Sequence, residues 1–169
     1  MAAKSHRALK ITSIVIGAIV AVALIAVVAL NIYIRVAFAP FFDRAESPFD
    51  IPGINTGFVP QDLDHVEADD SWLFSGYMAD HSPSPLYRRA ADGTITKFYV
   101  SLPDGSPYDG HGSAITTNEQ YAYLACEEGY LVIPMDDLLF AEDGASVQAT
   151  EKVDVDLSPA FMNIEQGQL

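Results

Sequence analysis

The feature that most constrains this chain is an uncharged, apolar run from Ile11 to Ile34, close to its N-terminus. A helix rises about 1.5 Å per residue, so about 20 apolar residues cross the hydrocarbon core of a bilayer, and this run is longer. Apolar side chains would occupy every face of the helix, which is typical of a helix surrounded by lipid. The sequence therefore predicts a transmembrane helix over 11–34, with the lipid bilayer as its partner.

The basic residues around the run predict its orientation. Three of them precede it, namely Lys4, Arg7 and Lys10, whereas only Arg35 follows closely. This bias predicts a cytoplasmic tail over 1–10, an uncleaved signal anchor, and a single-pass cell-membrane protein with its C-terminal domain outside the cytoplasm. The alternative is a cleaved signal peptide, but its apolar region would span about 7–15 residues. The small-residue site Ala37-Phe38-Ala39 is also followed by Pro40, which should hinder cleavage.

The charge of the exported part limits its partners. Four of the 9 basic residues and none of the 23 acids precede Pro40. The chain from Pro40 onward therefore carries 23 acids against 5 bases, a net charge of −18 with His neutral. Such a surface repels phosphate backbones, which argues against nucleic acid, and it would suit cations or a basic partner. The alternative is that acidity only keeps the domain soluble. Cys126 is the only cysteine, so it forms no disulfide within the chain, and it is predicted to be a buried, inert thiol.

Beyond the helix, a linker over 35–56 is predicted, followed by a β-rich domain over 57–169. Ser47-Pro48 and Ile51-Pro52-Gly53 break regular structure in the linker. Short β-type runs then alternate with turn residues such as Ala91-Asp92-Gly93 and Glu127-Glu128-Gly129. The predicted strands are 63–66, 72–77, 86–89, 94–100, 113–116, 120–125, 130–133 and 147–155, with a single helical turn at 135–140.

These strands repeat with a long period. Trp72 and Tyr121 occupy equivalent places about fifty residues apart, as do Val66 and Thr116. Self-similarity at this spacing, with four strands per unit, is typical of β-propeller blades, which stack because one blade cannot bury both faces of its sheet.

Three strings resemble one class of proteins. They are Val59-Pro60-Gln61-Asp62-Leu63-Asp64, Trp72-Leu73-Phe74-Ser75-Gly76-Tyr77, and Asp104-Gly105-Ser106-Pro107-Tyr108 followed by Gly110-His111-Gly112. Together they resemble bacterial extracytoplasmic β-propellers of the lactonase-like or NHL-like kind. The resemblance covers about residues 57–165 and implies an all-β fold, a partial propeller of about two four-stranded blades. Such propellers usually have six or seven blades.

The end of the chain bears on how the domain closes. After two blades, 160–164 would form the first strand of a third, and the chain stops soon afterwards. An open two-blade stack exposes an apolar sheet face and a strand edge. We therefore expect a truncated fragment of a longer protein, or self-association that covers the open blade edges. The alternative is a complete, compact two-sheet sandwich formed by the same strands.

The resemblance also implies where a ligand would bind. In propellers the loop that enters each innermost strand faces the central channel. The candidates are Gln61, Asp62 and Asp64 before the first blade, and Asp109, His111 and Ser113 before the second. Of these, Asp62, Asp64, Asp109 and His111 are the predicted ligand-binding residues, because a carboxylate and an imidazole on one loop can bind a divalent metal or share a proton. The alternative is a solvated turn whose glycines supply unusual dihedral angles.

The sequence supports a binding protein more than an enzyme. It contains no Gly-x-Ser-x-Gly nucleophile elbow and no phosphate-binding Gly-rich motif followed by Lys. No cofactor is predicted. Calcium is an alternative, since the chain has many carboxylates that could bind it. Pairs such as Asp154-Val155-Asp156, however, lack EF-hand spacing and fit strand alternation. We therefore expect a membrane-anchored binding or scaffold module. The alternatives are a lactonase-like, metal-dependent hydrolase that uses Asp62, Asp109 and His111, and a product without activity of its own.

Overall fold

The chain forms two compact units. The computed structural model describes residues 2–45, 48–156, 158–165 and 168–169. The first unit is Met1–Phe49 and the second is Asp50–Leu169.

The first unit is helical. Helix α1 spans Ala2–Ala37, and the short helix α2 spans Ala39–Phe42. The uncharged run lies inside α1, and the part of the helix from Lys10 to Ala37 is long and apolar enough to cross a membrane, a property that signal sequences share. The Arg35 guanidinium lies 5.4 Å from the centroid of the Phe42 ring. The first unit thus contains the apolar helix that the sequence predicts.

The second unit is mostly β-sheet. Its strands are β1 Phe58–Val66, β2 Ser71–Met78, β3 Pro85–Arg89, β4 Ile95–Ser101, β5 Ile115–Thr117, β6 Tyr121–Cys126, β7 Gly129–Pro134, β8 Ser146–Gln148 and β9 Glu151–Asp154, with the short helix α3 Met135–Leu139 between β7 and β8. They form a first sheet in the order β1-β2-β3-β4-β8 and a second sheet in the order β5-β6-β7-β9. All pairings are antiparallel except that of β4 with β8, and neither sheet closes on itself.

The core lies between the two sheets. Because residues paired across antiparallel strands share a face, strand alternation divides each sheet into an inner face, which points toward the other sheet, and an outer face. The inner faces supply fully buried side chains such as Leu73 and Phe98 from the first sheet and Leu124 and Leu131 from the second. Helix α3 adds Met135 and Leu138 to this core. Strands β1 and β5 are in direct contact, so the first strand of each sheet marks where the sheets meet.

Most predicted strands are confirmed, as is the short helix. The hairpin at Glu127-Glu128-Gly129 is present, with Cys126 paired to Gly129. Its tight turn requires a left-handed residue, and Glu128 takes that conformation with φ of 62°.

One predicted strand, 147–155, is wrong because the chain changes sheets in the middle of it. Strand β8 extends the first sheet, whereas β9 belongs to the second. At the crossing, the Ala149 amide donates to the Ser101 carbonyl at 2.9 Å and the Thr150 amide donates to the Val132 carbonyl at 2.8 Å. This segment therefore ties the two sheets together through the backbone.

The strand predicted at 160–164 is also absent. Residues 158–164 have no regular structure, and the pairing in this region is a single bridge between Glu165 and Gln168. The Ser113 hydroxyl donates to the Pro159 carbonyl at 2.7 Å, which holds this segment beside the start of β5. The mostly β architecture is thus confirmed, while the sheets alone do not establish a propeller.

Candidate functional site

The predicted carboxylates of β1 join the two sheets. The register of β1 against β2 shifts between Pro60 and Asp62, a bulge that leaves Gln61 exposed and turns Asp62 inward. The Asp62 carboxylate accepts a hydrogen bond from the Ile115 amide at 3.0 Å. Two residues on, the Asp64 carboxylate accepts from the Thr117 hydroxyl at 2.8 Å, and its other oxygen accepts from the His65 amide at 3.0 Å. Because both acceptors reach β5, these acids hold the first strands of the two sheets side by side.

A buried hydroxyl lies next to this junction. Ser75 pairs with Asp62 across β1 and β2 and is completely buried. Its Oγ makes no hydrogen bond to any residue in the described part of the chain. A serine in an apolar strand is an ordinary residue of strand alternation, so no pattern in the sequence indicates this feature.

The second predicted group lies on the loop from Tyr108 to Ser113. The Tyr108 side chain is buried under this loop, and its hydroxyl accepts a hydrogen bond from the Gly112 amide at 3.2 Å. Burial raises the pKa of Tyr108 well above its usual value, so the phenol stays protonated. The Ser84 hydroxyl donates to the Gly110 carbonyl at 2.6 Å. A side chain at Gly110 would overlap the Tyr108 hydroxyl, so this position requires glycine.

The His111 side chain extends from this loop and stacks on Tyr77 of the first sheet. Its imidazole lies parallel to the Tyr77 ring, with 4.2 Å between the ring centroids and 12° between the planes. Its amide donates to the Glu127 carboxylate at 3.3 Å. Asp109 is exposed on the same loop. His111 therefore has a structural role, because its imidazole packs against an aromatic ring. The imidazole is also exposed, so a ligand could contact it there.

The four predicted ligand-binding residues fall into two pairs with different surroundings. Asp62 and Asp64 are half-buried and bonded to β5, whereas Asp109 and His111 are exposed on the loop. Among the residues that the structure describes, no group of three or more His, Cys, Asp or Glu side chains is arranged to hold a metal ion. The carboxylates of Asp62 and Asp64 act as hydrogen-bond acceptors between the two sheets.

Three tyrosine rings on one sheet face form the other notable feature. Tyr121, Tyr123 and Tyr130 lie on the outer face of the second sheet, with centroid distances of 6.4 Å between the first two rings and 6.0 Å between the last two. Tyr121 is 37 % exposed and the other two are half-buried. A cleft of about 830 Å³ separates Tyr130 from the C-terminal segment that carries Phe161. We call this row of rings the tyrosine face.

Comparisons with known proteins add no family. No family model matches the chain, and no curated protein or solved structure matches it. The fold therefore defines this chain as a mostly β protein of two sheets that follows an N-terminal apolar helix.

Proposed function

We propose that the chain is a membrane-anchored binding or scaffold module whose blade-type sheets lie outside the cytoplasm. The proposal rests on one observation: Asp62 and Asp64, two of the three carboxylates that the propeller resemblance marks as ligands, are engaged in holding β1 against β5. An acid that accepts a backbone amide at 3.0 Å has less capacity left for a metal, since each carboxylate oxygen has two lone pairs. These residues thus serve the architecture, and the function lies in the surface that the architecture presents.

The arrangement of the sheets supports blade-type packing. Each sheet contains an antiparallel set of four strands, and the first strands of the two sets lie together. Trp72 and Tyr121, equivalent in the sequence, each lie on the second strand of their sheet and, by strand alternation, on its outer face. Sheets that stack through inner strands present broad faces and edges to partners, as repeat proteins do.

The first unit supports the proposed anchor and its orientation. The helix from Lys10 to Ala37 is long enough to span the bilayer, and the basic residues before it favour a cytoplasmic N-terminus. A test uses cysteine labelling in intact cells with a maleimide that does not cross membranes. Asp137→Cys, on the exposed surface of α3, should be labelled, whereas Ser5→Cys should be labelled only after the membrane is permeabilised. The reverse pattern would contradict the proposed orientation.

A thermal melt distinguishes the scaffold proposal from the alternative of a metal-dependent hydrolase. In the full chain in detergent, the fluorescence of Trp72, the only tryptophan, reports unfolding of the β unit. The scaffold proposal predicts the same Tm with excess calcium and with EDTA. A metal ion present at a free concentration 100 times its Kd stabilises the folded state by about 2.7 kcal/mol. This raises the Tm of a domain of this size by about 10 °C or more. A calcium-dependent rise of that size would overturn the scaffold proposal and favour metal-assisted chemistry.

A further inference from the structure

The outer faces of the two sheets differ in the charged side chains that they carry. On the first sheet, Trp72 and Ile95 share a cross-strand row with Arg89, and the neighbouring row carries Leu63 and Lys97. Leu63 is 44 % and Ile95 42 % exposed, so this end of the face is apolar and open. It carries the bases Arg89 and Lys97, while its acid Asp70 is paired with His65 at the end of the Trp72 row. We call it the basic face.

The tyrosine face of the second sheet is the acidic counterpart. The row that contains Tyr123 continues through Val132 to Glu151, which is exposed. Residues 101–169 contain thirteen acidic residues and one basic residue, Lys152. Lys152 pairs with Leu131, an inner-face residue, and its ammonium contacts Asp154 at 3.2 Å. The described residues of the outer face of the second sheet therefore include an acid and rings but no base.

We propose that the tyrosine face of one copy docks on the basic face of a second copy, so that copies associate head to tail. This inference rests on the proposed function, because it names the partner that the presented surface binds. Two tyrosine faces would bring like charges together, and so would two basic faces, whereas a tyrosine face against a basic face pairs Glu151 with Arg89 or Lys97. It also buries Tyr rings against Trp72, Leu63 and Ile95, which are suited to such an interface.

The contact repeats the packing that exists within one chain. There the inner face of the first sheet covers the inner face of the second, with the first strands of the two sheets together. Head-to-tail docking adds another sheet to that stack, and such heterologous contacts build either a closed ring or an open chain of copies. Anchoring copies in one bilayer would raise their effective concentration and favour a weak contact.

The experiment measures the mass of the full chain in detergent by light scattering across a dilution series and at two salt concentrations. Association should be present at low salt and weaker at high salt, because screening reduces the attraction between the faces. Lys97→Glu and Glu151→Lys, each alone, should raise the apparent Kd by about five- to tenfold through like-charge contact. The double variant Lys97→Glu/Glu151→Lys should regain most of the lost affinity.

Controls separate this contact from other causes. Asp137→Lys changes the net charge as much as Glu151→Lys does, but it lies on α3 and should leave the Kd unchanged. Circular dichroism checks that every variant keeps its β-sheet. A monomer at all concentrations, an unchanged Kd in Lys97→Glu, or no recovery in the double variant would overturn the proposal. The labelling and calcium tests are independent of these outcomes, so failure of docking and failure of the scaffold function are distinguishable.

Discussion

The outer faces of the two sheets in the β unit differ in how far their aromatic side chains are buried. On the first sheet, Phe58, Phe74 and Tyr87 are at most 6 % exposed, and the segment at Pro52-Gly53 packs over the Tyr87 ring. On the second sheet, Tyr121 is 37 % exposed. Similar aromatic strands thus become core on one sheet and surface on the other, because the part of the first face around Tyr87 is covered by a preceding segment of the chain. What covers a sheet face, rather than the composition of its strands, decides whether its residues stabilise the fold or remain free for binding.

The largest expected effect tests the covered face. Phe74→Ala removes a fully buried ring, and we expect a loss of about 3–5 kcal/mol in the free energy of unfolding. Tyr121→Ala on the open face should cost about 1 kcal/mol or less, as exposed substitutions do. Urea unfolding of the full chain in detergent, followed by Trp72 fluorescence, measures both. Equal costs would remove the distinction between the faces.

The cover itself is tested at Gly53. This residue has φ of 74°, and a Cβ there would lie 2.6 Å from Cζ of the buried Tyr87 ring. We expect Gly53→Ala to destabilise the β unit by about 2 kcal/mol, since it adds a steric conflict to left-handed backbone strain. Gly105→Ala is the matched control, with φ of 86° and no atom within 4 Å of its Cβ, and should cost only about 1 kcal/mol. The same urea unfolding compares them, and an equal loss in both variants would mean that the Gly53 segment does not cover the sheet.

The junction between the sheets is tested by a double-mutant cycle. Asp64→Ala and Thr117→Val each remove one partner of the hydrogen bond between β1 and β5. We expect each to cost about 1 kcal/mol and the pair to show a coupling energy of about 0.5–1.5 kcal/mol, measured by urea unfolding. Additive losses would contradict a direct role of Asp64 in joining the sheets.

The smallest expected effect is the pH dependence that one carboxylate beside the first sheet, Asp69, contributes. Burial raises the pKa of Asp69, but hydrogen bonds from Ser71 and Arg88 and the charge of the Arg88 guanidinium outweigh it and hold the pKa below the usual 3.8. A carboxyl with a lowered pKa stabilises the fold above its unfolded pKa, and this contribution is lost as the pH falls through its folded pKa. Asp69→Asn should therefore flatten the decline in the free energy of unfolding below about pH 5.

Removal of the partner provides the control for that pH effect. Arg88→Gln should flatten the same acid limb, and the double variant should flatten it no further, because the two groups form one ion pair. A full acid decline in Asp69→Asn, measured by urea unfolding at a series of pH values, would assign the pH dependence to other carboxylates.

Local patterns predicted the elements of this fold. The uncharged run over 11–34 lies within a continuous helix because nothing in it interrupts helical geometry. Turn residues such as Glu127-Glu128-Gly129 placed the hairpins, since tight turns depend on the residues within them. These signals act over a few residues and are therefore visible in the sequence.

Long-range contacts were not visible. No break residue marks the change of sheet at Ala149-Thr150, because it is determined by carbonyls of Ser101 and Val132 elsewhere in the chain. Asp62 resembles a ligand in sequence, and only its hydrogen bond to a residue 53 positions away shows its part in joining the sheets. The predicted strand at 160–164 failed for a similar reason, since apolar alternation does not make a strand without a partner strand to pair with.

The most direct test of the contrast between the sheets is tyrosine nitration of the full chain in detergent, mapped by peptide mass spectrometry at high salt and low concentration. We predict that Tyr121 reacts first, while Tyr87 and Tyr108, each 6 % exposed, react only when the protein unfolds. Nitration of Tyr87 as fast as Tyr121, or protection of Tyr121 at every dilution, would contradict a covered Tyr87 region on the first sheet and an open face on the second.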